Sequence, residues 1–102
     1  MSLVVYIHNV TGRVFKLLTM REQEERGEQT FFADYLDSLS VDMLGAVETF
    51  PALSDDDDYI VVTNIINFLK HHDTSLKATK REVFKALRLL NRIEERAGGV
   101  KP

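Results

Sequence analysis

Between Thr30 and Phe50 the apolar residues recur at steps of three and four: Phe32, Tyr35, Leu36, Leu39, Met43, Ala46, Val47 and Phe50. That spacing predicts a helix laying one face on a core, with Asp34, Asp37, Asp42 and Glu48 on its polar side. Pro51 sets its end, because proline restricts the residue before it and cannot continue a helical ladder. Ser40 ahead of Val41-Asp42-Met43 can cap a fresh turn, so two shorter helices meeting at a bend form a second reading.

Ser54-Asp55-Asp56-Asp57-Asp58 then precedes an apolar series through Val62, Ile65, Ile66 and Leu69. A serine followed by carboxylates is a helix start: Ser54 accepts from an open amide and the acids face the positive end of the dipole. His71 and His72 fall near the negative end. Tyr59-Ile60-Val61-Val62-Thr63 is β-branched enough to compete as a strand. A last helix is predicted from Thr79, where Thr79-x-x-Glu82 has the spacing of a capping box. It carries Val83, Ala86, Leu87, Leu90, Ile93 and Ala97 on one side and stops at Gly98-Gly99.

The opening segment supports two readings. Leu3-Val4-Val5-Tyr6-Ile7 has strand composition, Asn9-Val10-Thr11-Gly12 has turn chemistry, and Arg13 to Leu18 returns as a second strand. Alternatively Val14, Leu17, Leu18 and Arg21 share a helical face that runs to Gly27. The hairpin is our working expectation, and a short strand followed by a helix through residue 26 is its rival. The expected architecture is mainly α, with α+β as the variant: a compact bundle of three to four amphipathic helices with a short N-terminal β strand or hairpin.

Composition bounds the class without naming a function. A length of 102 residues is expected to form a single domain, 1–102. Apolar content of 44% and charged content of 28% suit a globular chain rather than a disordered one. The start lacks the basic flank of a secretory signal, no stretch has the length of a membrane span, and there are no cysteines. A cytoplasmic protein without membrane association is the expectation. Net charge of −3 conceals a split: residues 1–58 hold 12 acidic and 4 basic side chains, residues 59–102 hold 4 acidic and 9 basic ones.

Much of that positive charge lies on one line. Arg81, Lys85, Arg88, Arg92 and Arg96 follow one another at steps of four, three, four and four. On a helix they fall within an arc of roughly 80° along roughly 22 Å of axis. None of the five has a Glu or Asp four residues before or after it, so the helix itself does not neutralise them at that step. Phe84 and Asn91 sit beside the line, where an aromatic can fill a partner's pocket or stack on a base. Such a stripe is otherwise an ordinary solvated face, or it pairs with the chain's own acids, including Asp55–Asp58, Glu22, Glu24, Glu25 and Glu28.

Other chemistry lacks the spacing it needs. The segment from Leu69 to Arg96 has the order of a helix-turn-helix, but the turn from Asp73 to Ala78 is long and has no glycine. Asp55–Asp58 has no alternating ligand pattern or glycine for calcium. Adjacent His71 and His72 diverge on a helix, and His8 is distant in sequence, so no metal or cofactor is expected. No nucleophile elbow or glycine-rich phosphate loop is present. The expectation is a non-enzymatic interaction or adaptor module, with a homodimer available through head-to-tail pairing of the opposite halves. It presents Arg81, Phe84, Lys85, Arg88, Arg92 and Arg96 to an acidic protein surface. The alternative is a nucleic-acid-binding regulator that uses the same residues on phosphates.

Overall fold

The computed structural model describes residues 2–98, and all its long elements are helices: α1 (Leu3–Glu25), α2 (Phe32–Thr49), α3 (Asp57–His71) and α4 (Leu76–Gly98). A 3₁₀ turn, Pro51–Asp55, joins α2 to α3. Each helix packs on its sequence neighbour or, for α1 and α4, on the other end helix, while the backbones of the diagonal pairs stay apart among the described residues. Cross-links fix the directions. Tyr6 meets Phe50 and Arg21 meets Phe32, Tyr59 meets Met43, and Arg96 meets Asp58. The result is an up-down-up-down four-helix bundle closed by a long α1/α4 pair.

No β strand occurs among the described residues, so the N-terminal strand or hairpin is corrected to one helix. Tyr6, Ile7, Val10, Val14, Leu17 and Leu18 are all buried and follow the three- and four-residue helical step. Burying β-branched Ile7, Val10 and Val14 in the bundle outweighs their few-tenths preference for strand, since each buried side chain contributes roughly 1.5–3 kcal/mol. Ser2 caps the start by accepting the Val5 amide at 3.2 Å. Gly27, at φ 85°, ends it: its amide donates to the Glu24 carbonyl and the Glu28 amide to the Gln23 carbonyl, both at 3.0 Å. Those two bonds form a Schellman motif, which needs the left-handed residue that glycine supplies.

Three further expectations shift. Helix α2 runs unbroken across Ser40, which is buried, so there is no bend or second helix there. The cap of α3 is Asp56, whose Oδ1 accepts the Tyr59 amide at 3.0 Å, rather than Ser54. Ser54 instead donates to the Pro51 carbonyl within the 3₁₀ turn. Helix α4 begins at Leu76, with Ser75 Oγ accepting the Ala78 amide at 3.1 Å, so Thr79 is not its cap. Thr79 is fully buried, with its hydroxyl 2.7 Å from that of Thr74. A buried hydroxyl needs a partner, and the preceding loop supplies it. Residue Gly99 of the expected stop lies outside the described residues.

The core joins the inward faces of all four helices with Leu53 of the 3₁₀ turn. Polar links tie its seams. Tyr59 Oη donates to the Met43 carbonyl at 2.6 Å, and Tyr6 Oη donates to Asp42 Oδ2 at 3.1 Å, where Arg13 Nη1 also donates at 3.0 Å. Arg21 lies over the Phe32 ring and donates to the Thr74 carbonyl at 2.6 Å, so one side chain ties α1 to the start of α2 and to the α3–α4 connection.

Candidate interaction surface

The amphipathic pattern of α4 turns Val83, Ala86, Leu90 and Ile93 inward and leaves the five stripe cations exposed. Their partners come mostly from other positions than the four-residue step. Arg96 Nη2 donates to both Asp56 oxygens, at 3.0 and 2.8 Å, and its Nη1 to Asp58 Oδ2 at 2.8 Å. Arg92 Nε lies 3.4 Å from the same Asp58 oxygen. Asp58 first, and Asp56 after it, hold the Arg96 guanidinium's pKa above its ordinary value. At the other end, Glu82 lies 3.5 Å from Arg81 and 3.6 Å from Lys85. Thus the start of α3 faces the end of α4, and two of the four consecutive aspartates neutralise the C-terminal half of the stripe. The rest of the expected acidic surface does not reach it: Glu24 pairs with Arg21 and Glu28 with Arg26.

Arg88 is the one member of the stripe without an acidic partner among the described residues. It stands at the edge of a shallow, mainly apolar groove of about 630 Å³ between α1 and α4. The α4 wall is Phe84, Leu87, Arg88 and Asn91; the α1 wall is His8, Thr11, Gly12 and Phe15. Phe84 is 45% exposed and Phe15 51% exposed, so neither ring is covered by a loop. At the groove's end His8 Nδ1 lies 3.7 Å from Glu94. Of the six residues expected to bind a partner, the structure brings Phe84 and Arg88 together in this groove. Arg92 and Arg96 are turned toward α3, and Arg81 and Lys85 share Glu82.

The α1 wall is absent from the expected site because a hairpin scatters those residues. On a helix over Leu3–Glu25, Phe15 lies off the buried face, and an off-face aromatic was the available signal. A second exposed apolar feature is equally off-face: Val41 and Leu44 of α2, 62% and 63% exposed.

A larger hollow of about 720 Å³ opens between α1 and α2, lined in part by Tyr6, Arg13, Asp42 and Phe50. Its charged groups already satisfy one another, since Asp42 accepts from both Tyr6 and Arg13. Burial raises the pKa of the Tyr6 phenol, and hydrogen bonding with Tyr59 adds to the effect. His71 and His72 each place Nδ1 2.9 Å from a backbone carbonyl one turn earlier, at Asn67 and Phe68. Among the described residues no three His, Asp or Glu side chains gather closely enough to hold a metal ion, and no helix is long and apolar enough to cross a membrane. No protein-family model, curated protein or solved structure matches the chain.

Proposed function

We propose that this protein is a non-enzymatic, cytoplasmic interaction module whose docking surface is the α1/α4 groove. Its partner is an acidic protein segment with an apolar helical face. One observation carries the reading: two half-exposed phenylalanines from different helices line a single groove beside Arg88, the stripe cation with no acidic partner among the described residues. Aromatic and arginine side chains are the residue types that concentrate binding energy at protein interfaces. An exposed arginine at the rim favours an acidic occupant and steers its approach.

The internal pairing weighs against phosphate tracking. A helix that follows a nucleic-acid backbone uses its cations together, and here Arg92 and Arg96 would have to leave Asp56 and Asp58 first. The test is a photo-crosslinking side chain introduced at Phe84, run in cells beside the same protein carrying Arg88→Glu. The proposal expects a discrete protein adduct that the Arg88→Glu change removes. No adduct, or one indifferent to Arg88, refutes it. In parallel, random single- and double-stranded oligonucleotides are titrated at two salt concentrations. Tight binding that collapses with salt would replace the protein partner with nucleic acid.

A further inference from the structure

Helix α2 presents a second surface. Val41, Leu44, Gly45 and Glu48 follow one another at i, i+3, i+4 and i+7, which places them on one face, and all four are exposed. This ridge is apolar at Val41 and Leu44 and acidic at Glu48. The same four-position spacing describes both walls of the groove, His8/Thr11/Gly12/Phe15 on α1 and Phe84/Leu87/Arg88/Asn91 on α4. Ridge and groove match in three further respects.

Charge is the first. Helix α2 carries four carboxylates and no basic residue, whereas α4 carries seven basic residues and three carboxylates. Glu48 on the ridge has no ion-pair partner among the described residues, and neither has Arg88 in the groove. The second is apolar exposure: Val41 and Leu44 on the ridge and Phe15 and Phe84 in the groove are four of the nine large apolar side chains exposed among the described residues. The third is the pair of glycines. Gly12 and Gly45 both sit inside helices, where glycine is unfavourable, and a Cβ on either meets nothing within 4 Å. The protein's own packing therefore gives no reason for the missing methyls. A helix from outside, approaching closely over them, does.

We infer that the occupant of the groove is the α2 ridge of a second copy of this chain. This rests on the groove being a docking surface, as proposed above, and names what docks there. Ridge and groove are made of different residues on different helices, so every copy keeps one of each available after the contact forms. The contact is heterologous, and it propagates into a chain or closes into a ring rather than stopping at a twofold dimer.

Light scattering on eluting protein, over a series of loading concentrations, tests this directly. The wild-type mass should rise with concentration past that of a dimer. Leu44→Lys, which spoils the ridge, and Phe84→Glu, which spoils the groove, should each be monomeric with unchanged helical circular dichroism. Mixed in equal amounts, they should form a one-to-one dimer and nothing larger, because each supplies the surface the other lacks. Arg88→Glu and Glu48→Arg should each abolish assembly, and both changes in one chain should restore it. These two sites are exposed and form no ion pair among the described residues, so loss of folding does not confuse the result. A wild-type protein that stays monomeric at every concentration, or a Leu44→Lys/Phe84→Glu mixture that fails to pair, overturns self-association. If Arg88-dependent crosslinking at Phe84 to another protein persists in that case, the groove still docks a partner and only its identity as a second copy is wrong.

Discussion

Arg96 on α4 grips Asp56, the residue that caps α3, through both carboxylate oxygens at 3.0 and 2.8 Å. One carboxylate thus serves the start of one helix and the end of another. Asp56→Ala removes a cap worth about 1 kcal/mol together with the ion pair, whereas Arg96→Gln removes only a half-exposed pair worth about 0–1 kcal/mol. Urea unfolding of both variants should show Asp56→Ala as the more destabilised. Equal losses would mean that the pair, and not the cap, dominates.

The glycines separate folding from docking. Gly27→Ala places a side chain at φ 85° and should destabilise by about 1 kcal/mol. Gly12→Ala and Gly45→Ala meet open space within their helices and should stabilise by about 0.5–1 kcal/mol. Thermal melts measure all three. The inferred assembly adds a second readout: Gly12→Ala should weaken self-association while raising the melting temperature.

Neighbouring residues on α1 should respond in opposite ways. Leu17 is fully buried, so Leu17→Ala should cost about 2–5 kcal/mol. Phe15 is half exposed in the groove, so Phe15→Ala should change stability by less than about 1 kcal/mol and still reduce crosslinking at Phe84. Chemical unfolding paired with the crosslinking assay checks both. A Phe15→Ala protein as unstable as Leu17→Ala would place Phe15 in the core.

Two tyrosines set an alkaline limit. Burial raises the pKa of both Tyr6 and Tyr59, so the folded protein favours their neutral phenols. For a group whose folded pKa lies above its unfolded value, the stabilisation is complete below the unfolded pKa, about 10 for tyrosine, and is lost as pH rises toward the folded one. Stability measured by denaturant should therefore fall as pH climbs above about 10. Replacing Tyr6 with Phe should flatten that fall. A profile unchanged by Tyr6→Phe contradicts the assignment.

The parts of this fold that are legible in sequence are those where apolar and polar positions separate cleanly. Helices α2 and α4 announce themselves through single stripes, and Pro51 marks a true boundary. Helix α1 does so less clearly, because Val4, Val5, Ile7 and Val10 have strand composition, and burial of Ile7 and Val10 in the bundle shows their helical period. The cap of α4 misleads for a different reason: Thr79-x-x-Glu82 has the spacing of a capping box, but Thr79 is buried with its hydroxyl against Thr74, and Ser75 caps the helix instead. Half of the groove follows from α4 alone, through Phe84 and Arg88. Its other wall depends on how α1 folds, and the pairing of Arg96 with Asp56 depends on the antiparallel register of α3 and α4, which local sequence does not encode.

An even number of antiparallel helices also brings the chain back to where it began. A methyl group on Gly98 would sit 3.2 Å from Val4 Cγ2, so the first and last turns of the bundle touch. The order in which the four helices are strung is then a matter of covalent history more than of packing. A linker joining the start of α1 to the end of α4, with a new opening cut between Gly27 and Phe31, would preserve each interhelical seam while changing which helix is made first.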